Sequence, residues 1–289
     1  MGRAAGGGGR HATGAGGLSD ILAGQAVDAT TLAALYDLEH DEITEDLAFY
    51  ATWAGRTGGA VLDLGCGSGR LFRPLLDGGA ASVVGLDGSP ALVERARDRI
   101  AADPVLAAAR DGGRLEVGEG DARTVARRDR FDLVVLAGVI AHLSGPEDAL
   151  RALTRIRTLL APGGTLLVDT LGPGGLPPHD LPMSLDWERR IDGRKVVRRS
   201  SLTRRETPEG LRVDYRTLTD LTEPDGTIAR LPASFALWYP EASVSVALAD
   251  EADLEVAAAF GSHEEDPLDE RSERTILVMR RSTPGRSTE

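Results

Sequence analysis

Nine residues, Val61-Leu62-Asp63-Leu64-Gly65-Cys66-Gly67-Ser68-Gly69, limit what this chain can become more than any other stretch. Val61 to Leu64 read as a strand buried on both faces, and three glycines at alternate positions let the backbone turn sharply and press against a ligand. Leu71, Leu75 and Leu76 then recur at helical spacing, so the unit is strand, glycine loop, helix: a nucleotide pocket in outline. A dinucleotide fingerprint needs its third glycine at position 70, where Arg70 stands instead.

The rest of the chain narrows the classes. With 289 residues and 42% hydrophobic content it can bury a full core, as one large α/β domain or one domain with an insertion. The balance of 45 acidic against 33 basic residues, a net charge of −12, repels a phosphate backbone and argues against nucleic acid as a partner. Cys66 is the only cysteine, so no internal disulfide can form. Without a secretory signal or a bilayer-length apolar run, a cytoplasmic protein with no membrane partner is expected. No metal site is expected.

Residues 1–17 are Gly, Ala and Arg with too few apolar side chains to offset ordering entropy, and a disordered tail is expected. From Thr30 to Gly55 the pattern is helical, through Leu32, Leu35, Leu38, Ile43, Leu47 and Tyr50, with Asp28 or Thr30 as N-cap. Tyr36 lies there among polar neighbours, either packed on the core or carried by a lid. After the glycine loop, Ser82 to Leu86 form a second strand ending at Asp87, where an acidic side chain can bind both ribose hydroxyls. Pro90 opens a helix. Leu115 to Val117 are a third strand followed by the turn Gly118 to Ala122, in which Asp121 either accepts from an adenine amino group or caps the next turn. Phe131 to Ala137 are strand four, a helix from Pro146 runs through Leu160 to the Pro162-Gly163-Gly164 stop, and Thr165 to Thr170 are strand five. Regular alternation of strand and helix means right-handed crossovers and a parallel sheet.

Beyond a Gly/Pro linker at 172–178 the pattern alternates as antiparallel strands do: Trp187 to Ile191, a turn at Asp192-Gly193, Lys195 to Ser201, Gly210 to Leu221 and Thr227 to Tyr239 around Pro224-Asp225-Gly226. Helical spacing near Ser243 to Asp253 and strands at Leu254 to Phe260 and Thr275 to Met279 complete seven strands. The fold class is α/β: a Rossmann-like, doubly wound, seven-stranded and mostly parallel sheet with an antiparallel β insertion and an N-terminal helical lid. The expected units are a tail (1–17), the lid (18–57), the nucleotide-binding core (58–172), the insertion (183–240), the end of the core sheet (241–281) and a tail (282–289).

Over about residues 30 to 280 the chain resembles the class I S-adenosylmethionine (SAM) dependent methyltransferases, and specifically their actinobacterial small-molecule, natural-product branch. The likeness is carried by Val61 to Arg70, Val84-Gly85-Leu86-Asp87-Gly88-Ser89-Pro90, Glu119-Gly120-Asp121-Ala122 and Leu159-Leu160-Ala161-Pro162-Gly163-Gly164-Thr165-Leu166, in that order, with Tyr36-Asp37, Asp46 and Phe49-Tyr50 before them. The resemblance implies that Gly65, Gly67 and Gly88 line the cofactor, that Asp87 takes the ribose hydroxyls, and that Asp121 and the Ala122 amide read the adenine. Asp63 helps hold the amino group, directly or through water, or else braces the loop. Leu136 and Ala137 offer backbone carbonyls near the sulfonium, and Tyr36 reaches the cofactor from the lid.

The implied reaction moves a methyl group from SAM to N, O or C of a small acceptor, releasing S-adenosylhomocysteine (SAH). Holding the acceptor in line and dry supplies most of the effect, and a base is needed only if the acceptor must lose a proton. Tyr36 and His142 are the candidate catalytic residues; Glu39, His40, His179 and His263 are further candidate bases, and His142 could equally be a packing residue. In related enzymes the insertion covers the pocket or makes a dimer contact. Trp187, Trp238 and Tyr239 there are candidate acceptor-binding residues, or core packing of the insertion. The competing readings are a nicotinamide-dependent oxidoreductase, opposed by Arg70, and a catalytically silent scaffold of the same fold.

Overall fold

In the computed structural model, residues 29–191, 194–222 and 225–282 are described. The expected tail at 1–17, residues 18–28 of the lid segment, the cap at Asp28, the turn at Asp192-Gly193, Pro224 and residues 283–289 lie outside them.

One sheet has seven strands: β1 (Ala60–Leu64), β2 (Ser82–Asp87), β3 (Leu115–Glu119), β4 (Phe131–Ala137), β5 (Leu160–Leu171), β10 (Leu254–Phe260) and β11 (Arg274–Arg281). Its order is β10-β11-β5-β4-β1-β2-β3, with β11 antiparallel to both neighbours and the rest of the sheet parallel. The order reverses between β1 and β4, so a crevice opens beyond the carboxyl ends of those strands. Leu62, Leu64, Val134 and Leu136 pack on one face while Val61, Leu133 and Val135 pack on the other. These strands therefore read as continuous apolar runs rather than as alternations.

Among the described residues, seven α-helices flank the sheets: α1 (Ala29–His40), α2 (Leu47–Thr57), α3 (Phe72–Asp77), α4 (Pro90–Ala102), α5 (Pro104–Asp111), α6 (Pro146–Arg157) and α7 (Ala242–Glu251). Ser89 and Asp103 cap α4 and α5, each with proline in the first turn. Two sequence expectations are corrected. The helical pattern from 30 to 55 is two helices, broken between 41 and 46, where Arg70 donates to the Ile43 carbonyl at 2.9 Å and so takes up a backbone acceptor of the break. Leu160 belongs to β5, not to the preceding helix, because it pairs with Phe131 of β4.

A second, four-stranded antiparallel sheet, β6 (Leu181–Ile191), β7 (Arg194–Thr207), β8 (Gly210–Thr222) and β9 (Ile228–Pro240), forms the insertion in that order. Register puts Trp187, Arg198, Thr219 and Leu231 on one face with Ser200, Thr217, Tyr215, Phe235 and Tyr239, because side chains alternate along each strand. That face meets α1: Arg198 Nη2 reaches Glu39 at 3.0 Å, and Arg189 reaches the Leu38 carbonyl at 3.2 Å.

Trp238 points the other way. It is fully buried in the main core against Ile140, Leu153, Val168, Leu248 and Met279, which is the packing of insertion on core that the sequence left open beside acceptor contact. Trp238→Ala is expected to lower unfolding stability by about 3 kcal/mol through the cavity it leaves. A denaturation midpoint unchanged from wild type would contradict this.

Candidate active site

The glycine loop is shaped by backbone need. Gly65, Gly67 and Gly69 all have positive φ, at +84°, +55° and +80°. Gly65 and Cys66 donate to the Leu86 carbonyl at 2.6 and 3.0 Å, which ties the loop to the end of β2. A Cβ on Gly67 would lie 2.9 Å from the Tyr36 hydroxyl, so the lid helix and the loop face each other with no side chain between them.

Asp87, at the end of β2, is oriented by two backbone amides: Gly67 N–H donates to Oδ2 and Ser89 N–H to Oδ1, each at 2.8 Å. Gly88 follows it, with the Gly120 carbonyl 3.9 Å from where its Cβ would stand. Asp63 is 1% exposed, and its Oδ2 has no hydrogen-bond partner. Burial first and then the neighbouring Asp87 push its carboxyl up to about 7. A buried, orphaned carboxylate oxygen is costly unless a cationic donor arrives to pair it.

Tyr36 stacks on His40, with ring centroids 3.8 Å apart. Burial and the Asp87 charge push its phenol up to about 12, so it can donate a hydrogen bond but stays protonated as a base would not. Asp121 caps the turn after β3, accepting from Arg123 N–H at 2.8 Å, and its carboxylate also pairs with the Arg123 side chain. Ala122 is buried beside it, as are Leu136 and, in part, Ala137 at the end of β4.

His142 ends a short 3₁₀ turn, Ile140–His142, and its ring meets the edge of Phe235 from β9 at 6.5 Å. The surrounding protein takes water from the ring, and this desolvation of the charged form lowers its pKa. No carboxylate orients it among the described residues. Of the other candidate bases, Glu39 is paired with Arg198, His40 bonds the Tyr36 carbonyl through Nδ1 at 2.8 Å, and His179 is exposed. Trp187 sits under the Arg189 guanidinium at 4.8 Å near the lid, and Tyr239 is half-buried with its pKa raised, by burial foremost.

Three ion-pair sets were not foreseen from the sequence. Arg70 makes a bidentate pair with Asp46, at 2.7 and 2.6 Å, fastening the glycine loop to the turn before α2. Asp37 of α1 accepts from Arg95 of α4 at 2.6 Å. Arg198 draws Glu39, Asp186 (2.6 Å) and the Tyr215 hydroxyl (2.9 Å) together, joining lid to insertion. Pairs this distant in sequence leave no local signal; the unusual density of arginines was the only available hint. Arg198→Met is expected to speed amide exchange across α1 by about tenfold, since it leaves two carboxylates facing each other. Unchanged exchange in α1 would show that Arg198 does not hold the lid.

A reversed strand order over such a crevice, a glycine loop after β1 and an acidic residue ending β2 make a nucleotide-binding α/β site, and the antiparallel β11 sets this sheet apart from an all-parallel dinucleotide fold. Residues 61–164 match the family described as methyltransferase domain. A trans-aconitate 2-methyltransferase of Streptomyces avermitilis is 34% identical over 136 residues, 45% of this chain and 47% of the relative. The chain thus spans about half the length of the curated relatives it matches. Among solved structures, the CcbJ methyltransferase of Streptomyces caelestis superposes with a TM-score of 0.65 at 22% identity, covering 87% of this chain and 96% of the other. SAM-bound CalS10, an amino pentose methyltransferase of Micromonospora echinaspora, gives 0.64 at 22% identity, covering 89% and 99%. At such identities these two structures establish the fold.

Proposed function

We propose that this chain transfers a methyl group from SAM to an N, O or C nucleophile of a small molecule. The observation that carries the reading is the unpartnered, buried Asp63 oxygen beside the Asp87 carboxylate, in a cradle bounded by Gly65, Gly67 and Tyr36. The cofactor carries a matching set: an ammonium for Asp63, two ribose hydroxyls for Asp87, and a flat adenine for Gly88, Asp121 and Ala122. When bound, SAM supplies a methyl group already activated by its sulfonium. The residues of this chain then hold and orient: Tyr36 donates its hydroxyl across the loop, and the Leu136 and Ala137 carbonyls turn partial negative charge toward the cation. Water exclusion falls to α1 and the insertion, drawn together by Arg198 and Arg189.

The closed roof also supports a small acceptor over a polymer. Its walls would include His142, Phe235, Trp187 and Tyr239, with His142 a candidate catalytic group. The reading treats 58–172 as the cofactor-binding core, 18–57 as lid and 183–240 as the acceptor cover. Self-association through β6 is part of it, supported by Leu181, Met183 and Leu185, exposed at alternate positions of an edge strand. The test is calorimetric titration with SAH: saturable one-site binding is expected, and absence of binding would defeat the cofactor assignment.

A further inference from the structure

We propose that His263, fixed by Asp169, is the proton-accepting group at the acceptor end of the crevice, so that the acceptor is a protic nucleophile bearing O–H or N–H. The inference rests on the methyl-transfer reading above.

The topology places the pair. β10 runs parallel to β5, because both are antiparallel to β11. The loop from Gly261 to Glu273 therefore leaves the sheet at the same carboxyl end of the parallel strands as the glycine loop. Asp169, near the end of β5, is in register with Ala137 of β4, and its carbonyl accepts from Gly138 N–H at 2.8 Å. Asp169 thus stands about one strand, ~5 Å, from the β4 end that the reading places beside the sulfonium, and His263 is held on its carboxylate.

The side chains are built for one tautomer. Asp169 is fully buried and accepts from Tyr50 Oη at 2.5 Å, His263 Nε2 at 2.9 Å, Arg274 Nε at 2.9 Å and Arg274 Nη2 at 2.6 Å. Burial alone would raise its pKa, but the donors from His263, Arg274 and Tyr50 hold it below the ordinary carboxylate value. Asp169 is therefore ionised, and an ionised carboxylate can only accept. The imidazole proton must then sit on Nε2, which leaves the lone pair on Nδ1. Nδ1 has no hydrogen-bond partner among the described residues, and it is not sealed from solvent, the side chain being 14% exposed. Phe49 and Tyr50 of α2 flank the ring at 5.3 and 6.0 Å and fix its plane.

The charged groups around it are Asp169 from β5, Arg274 from β11, and, on its own loop, Glu264, Glu265 paired with Arg56 of α2, and Asp266 bonded by Ser262. His142 has no such orienting carboxylate among the described residues. In the step itself the acceptor's X–H proton passes to Nδ1 as the X–C bond forms; the C–S bond breaks, its electron pair stays on sulfur, and the imidazolium later returns the proton to water. Asp169 is a positioning residue, acting through His263.

Nitrogen-15 spectra of histidine-labelled full-length protein, assigned with His263→Gln, test the tautomer directly, and diethyl pyrocarbonate tests whether Nδ1 is a reachable nucleophile. The Nε2–H tautomer is expected, with His263 modified by the reagent about tenfold faster than in Asp169→Asn. An Nδ1–H tautomer, or a His263 that resists modification, overturns the proposal. If Asp169→Asn does not fold, the wild-type tautomer and modification still decide it. SAH calorimetry on the same samples separates the two readings: wild type that fails to bind SAH defeats the cofactor assignment, whereas the tautomer bears on the dyad alone. His263→Gln is expected to keep SAH affinity within about twofold, since the ring is placed beyond the cofactor.

Discussion

Asp87→Ala is expected to weaken SAH binding by about a thousandfold, ~4 kcal/mol, without unfolding the protein. The Gly67 and Ser89 amides each use one lone pair of a different carboxylate oxygen, which turns the remaining lone pairs toward the crevice as a matched pair of acceptors. Two ribose hydroxyls bound to an ionised group are each worth roughly 1.5–3 kcal/mol, and alanine removes both along with the brace on the loop. The half-buried position lets water satisfy the two freed amides, so the thermal transition should move little. Calorimetry with SAH checks the first statement and a melting curve the second. An affinity within fivefold of wild type would remove Asp87 from the cofactor site.

Asp87 also shows why so much was legible in advance. A buried parallel strand, a glycine turn and the carboxylate ending the next strand are local features, and each leaves a local pattern: an apolar run, glycines at required positive φ, and a fixed distance from Gly65 to Asp87. The seven-strand sheet and the antiparallel insertion followed from the same kind of signal. Trp238 was left between acceptor contact and core packing because alternation within β9 gives two faces without saying which one meets the core; its register against Arg212 rather than Tyr215 decides that. The break at 41–46 was missed because Ile43 keeps the helical spacing while its carbonyl is taken by Arg70. Asp169 and His263 lie 94 residues apart, and only the antiparallel return of β11 brings their segments together. Where an arrangement is made by one strand and its turn, the sequence shows it; where it is made by two distant segments meeting, chain order hides it.

Asp63→Asn should separate stability from binding in opposite directions. In the free protein, burial followed by the Asp87 charge raises the Asp63 pKa from 3.8 to about 7. The ionised form is therefore disfavoured by folding: the carboxyl costs nothing below about pH 4, costs progressively more as pH rises to about 7, and is constant above that. The difference corresponds to on the order of 4 kcal/mol at most. Asparagine keeps the shape without the charge, so the variant should melt higher than wild type at pH 8, with the gain shrinking to little near pH 4. Binding should respond the other way. The cofactor ammonium pairs with the carboxylate only when Asp63 is ionised, so wild-type SAH affinity should rise between pH 5 and 7 and level off by pH 8. The carboxamide of the variant cannot ionise, and its affinity should stay flat with pH and fall roughly 100-fold below wild type at pH 8, ~2.7 kcal/mol. An identical pH dependence in wild type and variant would show that the orphaned oxygen answers to the loop rather than to a ligand. A more stable variant that binds worse would mean that the strain of the buried charge is retained because the cofactor relieves it.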